Sequence, residues 1–116
     1  MTGPISLSRD ERGELLAVEL KELPFAPRRV FVASAPPEGA TRGDHTIPCA
    51  QMMVLLHGRV DVELGPDPAH LSAPITLEDP GARLDLPVGQ YIRYRLHGPD
   101  SQVLVLAAES YRPPSP

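Results

Sequence analysis

The stretch His57-Gly58-Arg59-Val60-Asp61-Val62-Glu63-Leu64 (HGRVDVEL) follows an apolar run at residues 52–56 (MMVLL), and the two together point to the fold class. Val60, Val62 and Leu64 alternate with the charged Arg59, Asp61 and Glu63. A strand sends successive side chains to opposite faces, so this alternation describes a strand buried on one side and wet on the other. His57-Gly58, set between two apolar-rich runs, reads as a hairpin turn, because glycine enters positive φ without a Cβ clash.

Working outward, similar short runs recur between turn signals. Residues 14–20 (ELLAVEL) precede the break at Leu23-Pro24, and 29–34 (RVFVAS) precede the turn Ala35-Pro36-Pro37-Glu38-Gly39. Residues 75–77, 83–86, 91–96 and 102–108 supply further strands, with a Pro/Asp loop at 65–72. Residues 103–108 are apolar at every position, as expected of a central strand covered on both faces. Fifteen prolines punctuate the chain and break helices and central strands. No segment shows a convincing helix, and the pattern is that of an all-β sandwich or barrel.

Length and composition narrow the function classes. At 116 residues the chain is one domain that buries a core without staples. A single cysteine, Cys49, excludes an intramolecular disulfide and a Cys-rich zinc site. Net charge is −4, with no basic cluster beyond Arg28-Arg29, which argues against nucleic acid or an anionic membrane as partner. The apolar runs at 52–56 and 103–108 are too short to span a bilayer, and the N-terminus has no signal-peptide core. A cytoplasmic protein is expected. Lys21 is the only lysine beside ten arginines, a usage that with the Ala and Pro content suggests a GC-rich bacterial genome.

Several segments, in order and spacing, resemble a known family. These are Asp10-Glu11-Arg12-Gly13-Glu14-Leu15, Leu23-Pro24-Phe25, Arg29-Val30-Phe31, Pro37-Glu38-Gly39 and Arg42-Gly43-Asp44-His45. Gln51, Leu56-His57-Gly58, Leu86-Pro87-Val88-Gly89 and residues 103–107 (VLVLA) continue the likeness. Together they resemble the metal-free sugar 3,4-ketoisomerase cupins, which act on nucleotide-linked 4-keto-hexoses. The resemblance implies a double-stranded β-helix, a small jelly roll, over residues 1–111, with 112–116 a Pro-rich tail. It also implies a homodimer that exchanges N-terminal strands.

This chain departs from the family at informative places. The family loop reads Arg-Gly-x-His-Ala-His, whereas here Arg42-Gly43-Asp44-His45-Thr46-Ile47 carries isoleucine at the second imidazole. The loop is also one residue shorter before Gln51, so His45 could take either imidazole's place. Phe31 and Val32 stand where the family has a catalytic tyrosine, and Tyr91-Ile92 stand in place of Trp-His. A cupin metal site needs several imidazoles, and with Ile47 and Ile92 at the other histidine places no metal and no cofactor are expected.

The remaining polar residues define a candidate site. His45 is the candidate base, since imidazole titrates near neutrality. In YIRYRL the strand period sends Ile92, Tyr94 and Leu96 inward, so Tyr94 brings a phenol to the pocket as acid or hydrogen-bond donor, or else as a core tyrosine with its hydroxyl at the rim. Gln51 shares a face with Met53 and Leu55 and is a candidate to orient a ligand. Arg29 and Arg42 are candidates to hold phosphate or an enolate oxygen. Phe31, Ile47, Met53 and Ile92 are the expected apolar lining. Asp44 beside His45 reads as a turn acid, Cys49 as a small buried side chain, and His57, His70 and His97 as exposed turn residues.

The reading drawn from these residues is a cofactor-free cupin enzyme, diverged to isomerise or cyclise a more apolar natural-product intermediate. The alternatives are a genuine 3,4-ketoisomerase of a TDP-4-oxo-6-deoxyhexose, and a non-catalytic binding or assembly cupin.

Overall fold

The structure, a computed structural model, describes residues 3–111, so the tail at 112–116 lies outside it. Ten strands build it. β1 (Ile5–Asp10) and β2 (Gly13–Val18) form a hairpin, and a single 3-10 turn (Leu20–Glu22) leads toward β3 (Arg29–Ser34). Then follow β4 (Ala40–Thr46), β5 (Gln51–His57), β6 (Val60–Gly65), β7 (Ile75–Leu77), β8 (Arg83–Leu86), β9 (Tyr91–Leu96) and β10 (Gln102–Ala107).

Two antiparallel sheets result, ordered β3-β10-β5-β8 and β4-β9-β6-β7. Their inner faces meet in one core. The first sheet gives Met53, Leu55, Val103 and Val105, and the second gives Val60, Val62, Ile92 and Leu96, all almost fully buried. This is the small jelly roll that the resemblance implies, an all-β double-stranded β-helix.

A second apolar cluster covers the outer face of the first sheet. Met52, Val54 and Leu106 pack there with Leu23, and Ile5, Leu16, Val18 and Phe25 close over them. Hence β10 is apolar from Val103 to Ala107. Val103 and Val105 face the other sheet, while Leu104 and Leu106 face the cluster beneath the hairpin.

Three expectations are corrected. His57-Gly58 does not make a hairpin: β5 pairs with β10 and β8, and β6 pairs with β9 and β7, so the turn carries the chain from one sheet to the other. A turn sequence specifies reversal, but not whether the flanking strands pair edge to edge or stack face to face. What fixes this one is Ser101, buried beneath it, whose Oγ accepts from the Arg59 N–H at 2.9 Å. Gly58 has φ +78°, and a Cβ there would lie 2.2 Å from the same Oγ.

The second correction concerns residues 40–46, read from the sequence as part of a loop. They form β4, paired along its length with β9. ATRGDHT has almost no apolar residue, because the positions facing inward line a cavity instead of the packed core. The strand carries a β-bulge: Gly43 pairs with Arg93 and His45 with Ile92, leaving Asp44 as the extra residue at φ +60°. Third, His97 is half-buried instead of exposed, with Nε2 2.8 Å from Asp61 Oδ2. Strand β1 was not foreseen, and β2 ends at Val18, short of the expected Leu20.

Candidate active site

One end of the space between the sheets is not filled by side chains. There a cavity of about 570 Å³ opens among β3, β4, β5, β8, β9 and β10. Each strand contributes the residues that its period turns inward. β9 supplies Ile92 and Tyr94, β5 supplies Gln51 and Met53, and β3 supplies Arg29 and Phe31. β4 supplies Arg42 and His45.

Of the nine residues singled out in the sequence, Ile47 alone is absent from the wall. Its side chain is 1% exposed and belongs to the packed core. The backbone explains this placement: the Ile47 N–H donates to the Gln90 carbonyl at 2.7 Å, and the Ile47 carbonyl accepts from the Gly89 N–H at 2.9 Å. Those bonds tie the residue to the turn before β9, and its side chain points below the cavity floor. The substrate contact expected of Ile47 is thus replaced by a core contact.

His45 sits at the exposed rim, where its Nδ1 lies 3.0 Å from the Thr46 carbonyl oxygen. A carbonyl can only accept, so Nδ1 carries the proton of the neutral ring, and Nε2 keeps the lone pair. That is the tautomer a general base needs. Across the bulged strand pair, Arg42 stands opposite Tyr94. Burial pushes the Tyr94 phenol above its ordinary range, and the nearby Arg42 guanidinium works in the opposite direction. The phenol therefore stays protonated at neutral pH, able to donate to an oxyanion.

Arg29 is held differently. Its guanidinium carbon lies 4.6 Å from the Phe31 ring centroid and 4.9 Å from that of Tyr111, a cation between two aromatic faces. Tyr111 was not foreseen as a wall residue. It follows the last strand, where neither period nor spacing marks a pocket, and only the return of the chain beside β3 brings it there. Cys49, read in the sequence as a small buried side chain, is buried and belongs to the wall, with its Sγ 3.9 Å from Gln51 Nε2. Among the described residues no three His, Cys, Asp or Glu side chains are grouped to hold a metal ion. His57, His70 and His97 lie outside the cavity wall.

The family model described as "WxcM-like, C-terminal" (FdtA) matches residues 3–115. The chain belongs to this family. Solved structures place the WxcM-like chain beside sugar isomerases. It is similar to QdtA, a sugar 3,4-ketoisomerase from Thermoanaerobacterium thermosaccharolyticum solved in complex with TDP. That match has 28% identity and a TM-score of 0.77, and covers 94% of this chain and 80% of QdtA. A 3,4-ketoisomerase from Helicobacter canadensis matches at 25% identity and TM-score 0.78, covering 94% and 82% of the two chains. WlaRB, a TDP-quinovose 3,4-ketoisomerase from Campylobacter jejuni, matches at 26% and 0.76, covering 94% and 84%. No curated protein matches the sequence. Among the described residues no helix is long and apolar enough to cross a membrane.

Proposed function

We propose that this WxcM-like protein is a 3,4-ketoisomerase of a nucleotide-linked 4-keto sugar, working with a single imidazole. The observation that carries the reading is the meeting of His45, Tyr94 and two guanidiniums, Arg29 and Arg42, on one cavity. Two cations on one wall suit a diphosphate-linked substrate better than an apolar one. With Ile47 in the core, one of the apolar replacements that favoured a non-sugar substrate no longer touches the cavity.

The chemistry follows from the groups present. His45 Nε2 removes the proton at C3, alpha to the C4 carbonyl, and the electron pair moves into an enediolate spanning C3 and C4. Tyr94 donates a hydrogen bond to the developing oxyanion, and the Arg42 charge stabilises it. The C3 hydroxyl proton passes to the C4 oxygen, and His45 returns the carbon proton to C4, which leaves a ketone at C3 and a hydroxyl at C4. Arg29, gripped by Phe31 and Tyr111, is placed to hold phosphate. No redox partner is required, since the product is an isomer of the substrate.

The test is incubation of the protein with TDP-4-keto-6-deoxyglucose in deuterated water. Deuterium uptake at C3 in the wild type, reduced by on the order of 10²–10⁴-fold in His45→Ala, is the expected result. Uptake that His45→Ala leaves intact would remove the imidazole from the mechanism.

A second reading, isomerisation or cyclisation of an apolar intermediate, is favoured by the aliphatic part of the wall: Met53, Leu86, Ile92 and Val105. A wild-type protein inert toward the keto sugar, yet retaining an apolar molecule through purification, would turn the assignment that way.

We also infer a homodimer in solution. An apolar groove on the outer face of β3 and β10 is lined by Val18, Leu20, Val30, Leu104 and Leu106. Val30 and Leu20 are 59% and 54% exposed there. A second copy of the same chain is its fitting occupant, since β3 is a sheet edge with an unpaired side.

A further inference from the structure

Arg42 and His45 both line the cavity, although they stand three positions apart on one strand. In an unbroken strand an odd spacing sends two side chains to opposite faces. The bulge removes the conflict. Arg42 pairs with Tyr94 and His45 with Ile92, and both β9 partners face inward. The surplus residue between them is Asp44, in the left-handed region at φ +60° after Gly43 at φ +91°.

Asp44 turns to the outer face of the sheet and is gripped there. Its Oδ1 accepts from Arg93 Nε at 2.7 Å and from the Tyr91 hydroxyl at 3.3 Å. Arg93 and Tyr91 are the outward-facing residues of β9 on either side of Ile92. Both members of the ion pair are substantially exposed, so its attraction adds little to overall stability. Its geometric effect is to hold the Asp44 side chain against the outward-facing residues of β9.

The register is fixed at both ends of β4. Downstream, Ile47 exchanges backbone hydrogen bonds with Gln90 and Gly89. Upstream, Arg95 reaches the Thr41 Oγ1 at 3.5 Å and the Glu38 carbonyl at 3.1 Å. Between these points one residue must be extra. If His45 took that place, its imidazole would leave the cavity wall.

We infer that Asp44, held by Arg93 and Tyr91, is a positioning residue that selects the bulge register in which Arg42 and His45 face the cavity together. It acts through the backbone, while the imidazole Nδ1 is engaged by the Thr46 carbonyl. The kinetic part of its test rests on the ketoisomerase reading, and the spectroscopic part does not.

Three variants separate anchor from backbone strain. Asp44→Asn keeps an acceptor oxygen and tolerates left-handed φ; Asp44→Gly keeps the backbone conformation and loses the anchor; Arg93→Ala removes the other partner. In the wild type, NMR should show nuclear Overhauser contacts between the His45 ring and the Ile92 methyls, because directly paired residues hold their Cβ atoms about 4.5–5.5 Å apart. Asp44→Asn retains these contacts, whereas Asp44→Gly and Arg93→Ala lose most of them with the melting temperature close to wild type. On TDP-4-keto-6-deoxyglucose the same two variants lose kcat by on the order of 10–100-fold with KM nearly unchanged, and Asp44→Asn stays near wild type. Contacts and kcat preserved in both Asp44→Gly and Arg93→Ala would overturn the inference. A wild type inert toward the keto sugar would instead overturn the ketoisomerase reading, and the Overhauser contacts alone would then decide the positioning role.

Discussion

His45 and Tyr94 divide the proposed acid–base work because their surroundings differ. The imidazole sits at the rim with its tautomer set by the Thr46 carbonyl, and the phenol lies buried opposite Arg42. Tyr94→Phe removes the donor while keeping the ring. It should lower kcat by about 10²-fold, the usual cost of deleting one oxyanion donor, with nucleotide affinity held. Steady-state kinetics beside TDP titration checks this, and a fall confined to affinity would make Tyr94 a binding residue. Tyr94 was legible from the strand period, and His45 from the loop motif of the family resemblance. Ile47 was not, because a loop motif shows which residue replaces an imidazole but not whether the chain still presents that position to the cavity. Tyr111 and Cys49 lacked any periodic signal, and their place in the wall depends on contacts between distant segments.

At the scale of elements, the strands that bury one or both faces were readable, and those that do not were missed. β3, β7, β8 and β9 begin and end where their alternation does. β4 was hidden because its inward residues are polar, which is what a strand bordering a ligand cavity requires. The outer face of the second sheet carries a further network. Asp61 on β6 accepts from Thr76 Oγ1 on β7 at 2.6 Å and lies 2.8 Å from His97 just beyond β9. The Thr76 hydrogen bond, with His97 and Arg59 adding to it and burial opposing, lowers the Asp61 carboxyl below its ordinary value of 3.8. Because the folded value is depressed, this carboxylate stabilises the fold above the unfolded value and loses that contribution as pH falls through the folded one. Thermal melts between about pH 5 and pH 2 should therefore fall more steeply for the wild type than for Asp61→Asn. Parallel curves would show that the network contributes nothing to acid sensitivity.

For the whole molecule, the all-β class and the jelly roll were available from the alternation, the turn spacing and the resemblance. The assignment of strands to sheets was not. His57-Gly58 looked like a hairpin turn, yet the strands it joins stack across the core, because each pairs with strands distant in sequence. The same scale governs association. If a second copy covers the groove at Val30 and Leu20, a charge placed there should split the dimer. Val30→Glu, at a side chain 59% exposed, is expected to shift the mass in light scattering from dimer to monomer while the circular dichroism spectrum stays the same. A wild type that runs as a monomer at micromolar concentration would end that proposal.

The position of β10 has a consequence for how the chain acquires its structure. It is the last strand in sequence, yet it lies inside the first sheet, where Val105 pairs with Phe31 on one side and Met53 on the other. During synthesis β3 therefore waits, unpaired, until β10 has been made. Contacts so distant in sequence carry a large loop-closure cost, which slows folding. Nascent chains halted before Gln102 should thus be open to protease at the very residues that later build the arginine-bearing wall. Maturation of the pocket then has to follow the synthesis of β10.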